Sequence, residues 1–414
     1  MIIDLIKDIK QIGLKEFKTL LTGTVIAQAI TLAALPILTK LYSPQQFGEF
    51  ALFFSIANAI GIVSAGRFDA ALMLPKQRDE AQRLFIAGFI SCSLISIIAL
   101  FVLVFTPSSK TAGTFLNISK HFNIFTALAI FLTGSFVLLS SIHNRDKSYK
   151  EIAQTKIAQN IAIGGLSIIF GLLSFGTKGL IVGFILGLIL SCFLLFRKSK
   201  ISIFPIQKKS ILPLIKKFKS FPLYSVPMVF LNSISLNILI FLLTSYVGSS
   251  FVGLYSQAFK AVNFPLFIIS SSFAPLFFEK ATNSENKMKL VSYSLGISLI
   301  VGFTILSPLL IWGESLFGFV FGENWRISGK IAALLIPLTV TSFAATNISN
   351  IFAALHKNFI LLVWQIIYLL LSCVLFYYLR NNDKMDIISL YSWFGTIMYI
   401  MLFGIIFMIL KVKK

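Results

Sequence analysis

Negative charge is scarce in this chain. Its 414 residues carry 15 Asp and Glu against 36 Lys and Arg, a formal net charge of +21, and every acid from Asp4 to Asp386 falls in a connection or at the end of an apolar run. A protein that moves protons or sodium ions through a membrane needs a carboxylate at mid-depth, and none stands there. Histidine and cysteine are as sparse. His121, His143 and His356 lie singly, without the His-Glu-x-x-His spacing that holds zinc, so no metal centre and no cofactor is expected. Cys92, Cys192 and Cys373 sit in separate apolar runs with no Cys-x-x-Cys pair and read as packing residues. Gly171 to Lys178 spells Gly-x4-Gly-Thr-Lys, which inverts the Gly-Lys-Ser/Thr order a phosphate loop requires. No catalytic constellation remains, and the chain is not expected to be an enzyme.

What the chain has in abundance is apolar length. Hydrophobic residues make up 57% and charged residues 12%. A soluble domain could not hide that much apolar surface. Apolar runs of about 20 residues, each able to cross a bilayer core of about 30 Å as a helix, recur about twelve times. They fall near 19–39, 47–66, 84–105, 123–142, 152–175, 178–196, 222–247, 253–278, 290–312, 331–353, 359–379 and 386–410. Backbone groups in lipid must bond within their own segment, so these runs are helices rather than barrel strands. The expected fold class is an all-α membrane protein with about 12 transmembrane helices.

The basic residues explain themselves by orientation. They do not alternate with aromatics in a nucleic-acid-binding pattern, so no nucleic acid is expected. With the N-terminus in the cytoplasm, 27 Lys and Arg lie inside, eight outside and one, Lys260, within a span. That bias follows the positive-inside rule, and an even number of spans puts both termini in the cytoplasm. Residues 1–18 place Ile2, Leu5, Ile6, Ile9 and Ile12 on one helical stripe beside lysines, which predicts an interfacial amphipathic helix. The domain plan is then 1–18, an N-lobe over 19–196, a basic cytoplasmic linker over 197–221, and a C-lobe over 222–414. The linker is expected to lie on anionic membrane lipids.

The two halves resemble each other at an offset of 205 residues: Phe47-Gly48 aligns with Val252-Gly253, Phe54 with Phe259, and Asn58 with Asn263. Repeated six-span sets of one orientation are a transporter signature. Gly179, Gly183 and Gly187, four residues apart, let a neighbouring helix approach closely. Pro36 and Pro265 lie within spans and are candidate hinges. Lys260 stands about seven residues into its span, where an ammonium needs water, a partner or an anionic ligand, or must snorkel to the interface. Arg67 and Asp69 close the second span, and Arg145 lies in a basic connection. Each has a plain reading as a solvated positive-inside group or its neighbour, and an alternative one as a ligand contact.

Ala34-Leu35-Pro36-Ile37-Leu38-Thr39-Lys40-Leu41-Tyr42-Ser43-Pro44, then Phe47-Gly48, Gly66-Arg67-Phe68-Asp69 and Leu74-Pro75-Lys76, resembles the opening of the polysaccharide biosynthesis flippases. These are the Wzx-type O-antigen and capsule repeat-unit translocases of the multidrug/oligosaccharidyl-lipid/polysaccharide exporter superfamily. Asn144 to Tyr149, Gly253-Leu254-Tyr255 and Phe321 to Trp325 extend the likeness. The resemblance implies two six-helix lobes around a central cavity that opens alternately to each side. Its implied substrate is an undecaprenyl-pyrophosphate-linked oligosaccharide, moved from the cytoplasmic to the outer leaflet of the bacterial inner membrane. The polymerase and other polysaccharide assembly proteins are implied partners. On this reading Arg67, Lys260 and Arg145 handle the pyrophosphate, with Asp69 beside Arg67, while Asn58 and Asn263 help line the sugar path. A cation-coupled multidrug exporter of the same superfamily would need embedded carboxylates. A polytopic glycan polymerase or glycosyltransferase would need a large outer loop or a carboxylate/His cluster, and the outer connections near Thr106–Phe122 and Trp312–Lys330 are short.

Overall fold

A computed structural model describes residues 14–105, 122–199, 211–283, 286–355 and 357–412. The interfacial helix expected at the N-terminus lies outside these residues except for 14–18, where the first long helix has begun. Residues 200–210 of the basic linker, Lys110, Lys120, His121 and His356 also lie outside them. Among the described residues all regular structure is helical, and twelve segments are long and apolar enough to cross a membrane.

The long helices are α1 (Leu14–Leu41), α2 (Pro44–Ser64), α3 (Arg78–Phe105), α4 (Asn123–Arg145), α5 (Tyr149–Leu172) and α6 (Thr177–Lys198), then α7 (Val226–Tyr246), α8 (Ser249–Asn283), α9 (Lys287–Leu306), α10 (Pro308–Phe321), α11 (Arg326–Ile348), α12 (Asn358–Leu379) and α13 (Lys384–Val412). Helices α9 and α10 form one long apolar segment, interrupted at Ser307. Proline is tolerated at a helix's first turn, where its missing N–H has no intrahelical partner to lose, so Pro308 restarts the helix at once. The outer connection expected over Trp312–Lys330 is therefore mostly helix. It consists of α10, a glycine stop at Gly322 with φ 101°, the turn Glu323–Trp325, and the start of α11. Glu314 consequently stands inside α10 instead of in a loop, 4.0 Å from Arg326. The eighth segment also outruns its apolar window, continuing as helix to Asn283.

The chain divides into two compact units. The first comprises Met1–Leu41 and Leu52–Ile234, and the second Tyr42–Ala51 and Ser235–Lys414. The division falls inside α7 and gives the opening turns of α2 to the second unit, whereas the sequence placed the second lobe's start at residue 222.

In the first unit α5 packs against both α1 and α6. The seam with α1 is built from small residues. A Cβ on Gly23 would fall on Ala153, and one on Gly164 would lie 3.3 Å from the Cβ of Ala34. Both pairs share one offset, 130 residues, so α1 and α5 run parallel. The seam with α6 is antiparallel: Gly183 abuts Ser167, and Gly187 abuts Ile163 and the Gln159 carbonyl. The glycines singled out in α6 thus admit α5, as close helix packing in lipid requires. In the second unit α11 touches α8, α9, α10 and α13. A core of Phe277, Val291, Ala344, Ile348, Phe352, Trp364, Tyr368, Met398 and Leu402 joins α8, α9, α11, α12 and α13.

Candidate functional site

Two sets of candidate residues emerge, one in each unit. In the first unit the connection after α2 is a packed structure rather than a solvated loop. Gly66 and Arg67 both adopt left-handed backbone, with φ 61° and 59°. Glycine takes that conformation freely, whereas for arginine it costs on the order of 1 kcal/mol. The turn lets the short helix Phe68–Ala71 fold back, burying Phe68, Ala71 and Leu72 against Leu84, Phe85, Leu138 and Leu139. The Ser91 hydroxyl donates to the Ser64 carbonyl at 2.8 Å and ties α3 to the end of α2.

This turn brings Arg67 and Asp69 together. Nη1 of Arg67 lies 3.2 Å from Oδ2 of Asp69, with side chains 21% and 7% exposed. The pair is therefore largely withdrawn from water, and Nε of Arg67 and Oδ1 of Asp69 have no hydrogen-bond partner. Burial pushes the Asp69 carboxyl above the usual carboxylate range, and the neighbouring Arg67 charge pulls it partly back.

Arg145, at the end of α4, reaches the same connection from the other side. Its Nη1 donates to the Leu72 carbonyl at 2.7 Å and its Nη2 to the Lys76 carbonyl at 3.4 Å. Those carbonyls belong to a chain end that no helix satisfies, so the guanidinium completes the turn's hydrogen bonding. One residue on, Asp146 pairs with Arg78 at 3.1 Å. Asn58, in α2, is half-buried. His143 is buried, its Nδ1 2.9 Å from the Leu139 carbonyl.

In the second unit the informative feature is where α2 starts. Gly48 and Gly253, the two positions aligned by the internal offset of 205, meet backbone to backbone. A Cβ on Gly48 would fall on the Ser249 carbonyl oxygen, and a Cβ on Gly253 would fall on the Pro44 carbonyl oxygen. Pro44 and Ser249 are themselves 205 residues apart, so the contact is reciprocal: each copy presents its glycine to the residue four places earlier in the other. Apolar similarity by chance gives no such exchange.

Lys260 stands two turns beyond Gly253 on the same face of α8. Its ammonium lies 6.0 Å from the ring centroids of both Phe47 and Phe50, at the outer range of a cation–π contact. Phe47 in turn meets Trp325 edge-on, with centroids 5.1 Å apart. Among the described residues no carboxylate lies within ion-pair distance of Lys260. Asn263, one turn on, donates to the Phe259 carbonyl at 2.9 Å. Pro36 and Pro265 are carried within continuous helices, and Thr39 donates to the Pro36 carbonyl at 3.1 Å.

The sequence between residues 37 and 330 matches the model of a family described as "Polysaccharide biosynthesis protein". The chain belongs to that family. The match takes in Asn58, Arg67, Asp69, Arg145, Lys260 and Asn263. This polysaccharide biosynthesis protein is 21% identical over 321 residues to the succinoglycan biosynthesis transport protein ExoT of Rhizobium meliloti (strain 1021), an alignment that covers 76% of this chain and 63% of that protein. Its fold is shared with solved structures. The lipid II flippase MurJ, in an inward closed conformation, superposes with a TM-score of 0.72 at 16% identity, covering 93% of this chain and 86% of that one. An inward-facing multidrug resistance MATE family transporter of the MOP superfamily gives 0.66 at 13% identity, covering 93% and 95%. Twelve apolar helices in this fold make the family member a multi-pass membrane protein.

Sequence reasoning missed two features of the site. The left-handed Arg67 has no residue-type signal, because only the preceding glycine hints at a turn. Arg145's two targets lie 73 and 69 residues away in sequence, beyond the reach of periodicity.

Proposed function

We propose that this protein is a flippase that moves a polyprenyl-pyrophosphate-linked oligosaccharide from the cytoplasmic to the outer leaflet of the bacterial inner membrane by alternating access. The observation that carries this reading is Lys260, an ammonium seven residues beyond Gly253 in a membrane-length helix, walled by aromatic rings and, among the described residues, offered no carboxylate. An isolated cation in such a place is expensive unless an anionic ligand periodically meets it. A pyrophosphate is such a ligand, and charge-assisted bonds to it strengthen in a low-dielectric site.

In the proposed cycle the lipid's pyrophosphate is met first near Arg67, whose pairing to Asp69 leaves Nε unengaged, and later by Lys260. The sugar follows a polar path to which Asn58 and Asn263 contribute. Arg145 positions the Arg67 turn rather than touching substrate, and Pro36 and Pro265 absorb the bending. The multidrug transporters that share the fold do not set the polarity of this chain's cargo, since fold and ligand charge are separable. Among the described residues Glu314 lies 4.0 Å from Arg326 and Asp69 pairs with Arg67, whereas no acid lies within ion-pair distance of Lys260, a charge balance that favours an anion there.

Two experiments test the reading. Removing the protein from its host should cause polyprenyl-linked repeat units to accumulate in the membrane, and unchanged levels of those intermediates would refute a flippase role. Single-cysteine labelling on a background lacking Cys92, Cys192 and Cys373 should find both termini and the 197–221 connection protected in intact cells. Labelling of residue 208 from outside would reverse the orientation.

A further inference from the structure

A second embedded cation stands in the first unit, a lysine that lies within the fifth apolar run, 152–175, although the charge bias counts it among the cytoplasmic residues. Lys156 is the eighth residue of α5, about 10 Å along the helix at 1.5 Å per residue. It is half-buried, and its Nζ lies 3.4 Å from the Thr24 hydroxyl of α1. No carboxylate among the described residues lies within ion-pair distance. An ammonium has three donors, and one hydroxyl engages only one of them.

Its surroundings continue the polar character deeper into the helix pair. One turn on, Asn160 donates from Nδ2 to the Lys156 carbonyl at 2.8 Å and accepts at Oδ1 from the Thr31 hydroxyl of α1 at 2.7 Å. These bonds fix the amide's orientation while leaving it a second N–H and a free lone pair. Thr31 is exposed and Asn160 half-buried, so the ladder borders open space beside the small-residue seam of α1 and α5. From Thr24 to Thr31 it extends about 10 Å along α1.

A cation followed by hydroxyl and amide groups matches a phosphate followed by sugar hydroxyls. We propose that Lys156, Thr24, Asn160 and Thr31 form a binding site for a glycosyl phosphate, with Lys156 on a phosphate oxygen and Asn160 and Thr31 on the first sugar. The site rests on the flippase reading and adds to it a recognition station that is separate from Arg67 and Lys260. An anionic phospholipid headgroup would offer the same phosphate without the sugar, so the two must be told apart.

The experiment is equilibrium binding to the purified full-length protein in nanodiscs of zwitterionic lipid. Its probes are a polyprenyl-pyrophosphate bearing one hexose, the same lipid without sugar, and phosphatidylglycerol. Lys156→Gln should weaken the sugar-bearing probe about tenfold or more, while Lys156→Arg should retain most of its affinity. Asn160→Leu and Thr31→Val should weaken the sugar-bearing probe and leave the sugar-free lipid unchanged, a pattern that lost folding cannot produce. If Lys156→Gln binds like wild type, or if phosphatidylglycerol binds as tightly as the sugar-bearing probe, the site falls and the flippase reading stands. If the wild type binds neither pyrophosphate lipid, both fall.

Discussion

The connection after α2 and the face of α8 both display cations, but they treat them in opposite ways. Arg145 donates to two backbone carbonyls, Arg78 pairs with Asp146, and Arg67 shares Asp69. Lys260 has two aromatic rings and, among the described residues, no acid within ion-pair distance. A guanidinium presents five donors in a rigid fork, so it suits the task of satisfying several loop carbonyls at once. An ammonium on a flexible stem is a point charge that can follow a moving anion. Arg78 and Arg145 therefore hold structure, whereas the proposed cycle assigns the cargo's anion to Arg67, whose Nε is unengaged, and to Lys260.

That contrast can be broken at several points. The largest effect should come from Gly253→Leu or Gly48→Leu, because a side chain would have to occupy the position of a backbone carbonyl. Overpacking typically costs about 1–3 kcal/mol, and backbone contact leaves little room to relax. Both variants should lose abundance and melt earlier in detergent. Because they disrupt one reciprocal contact, the double variant should lose less than the sum of the two. Additive losses would show that the contact is not shared.

Arg145→Gln comes next. Losing charge-assisted bonds to two carbonyls should destabilise the protein by about 1.5–3 kcal/mol. Transport should then fall only in proportion to abundance, as measured by quantitative blotting beside surface glycan. A reduced rate per molecule would move Arg145 from the structural set to the ligand set.

The smallest effect concerns Asp69. Its folded carboxyl titrates above the usual range because it is buried, so its ionised form opposes folding. Its contribution to stability is fully present below the ordinary carboxylate pKa and is lost as pH rises through the raised folded value. Melting curves of wild type and Asp69→Asn should therefore converge at low pH and separate as pH increases through that window. A constant difference across pH would show that Asp69 does not titrate on folding.

Much of the architecture was legible in the sequence because crossing a bilayer fixes both the length and the polarity of a helix. The twelve segments followed directly. Their ends did not, since Ser249–Asn283 and Pro308–Phe321 continue as helix beyond their apolar windows, where hydropathy carries no signal. The pairing of Gly48 with Gly253 was foreshadowed by the 205-residue offset, because a repeated sequence builds equivalent surfaces. Lys260 stood out because it interrupts a long apolar run. Lys156 did not, because it lies only a few residues into its apolar run, and a lysine so near the cytoplasmic start of a span reads as a positive-inside charge. The bonds of Arg145 and the left-handed turn at Arg67 depend on tertiary neighbours and could be seen only in three dimensions.

The central claim is that Lys260 meets the anionic head of the cargo, and leaflet exchange in proteoliposomes tests it most directly. The assay would follow a fluorescent polyprenyl-pyrophosphate glycan with wild type, Lys260→Arg and Lys260→Gln reconstituted at equal density. The account predicts that Lys260→Gln loses about ten- to a hundredfold in exchange rate, the equivalent of one charge-assisted phosphate contact, while Lys260→Arg retains more activity. Wild-type exchange by Lys260→Gln would mean that the ammonium only rests against Phe47 and Phe50, and would contradict the account.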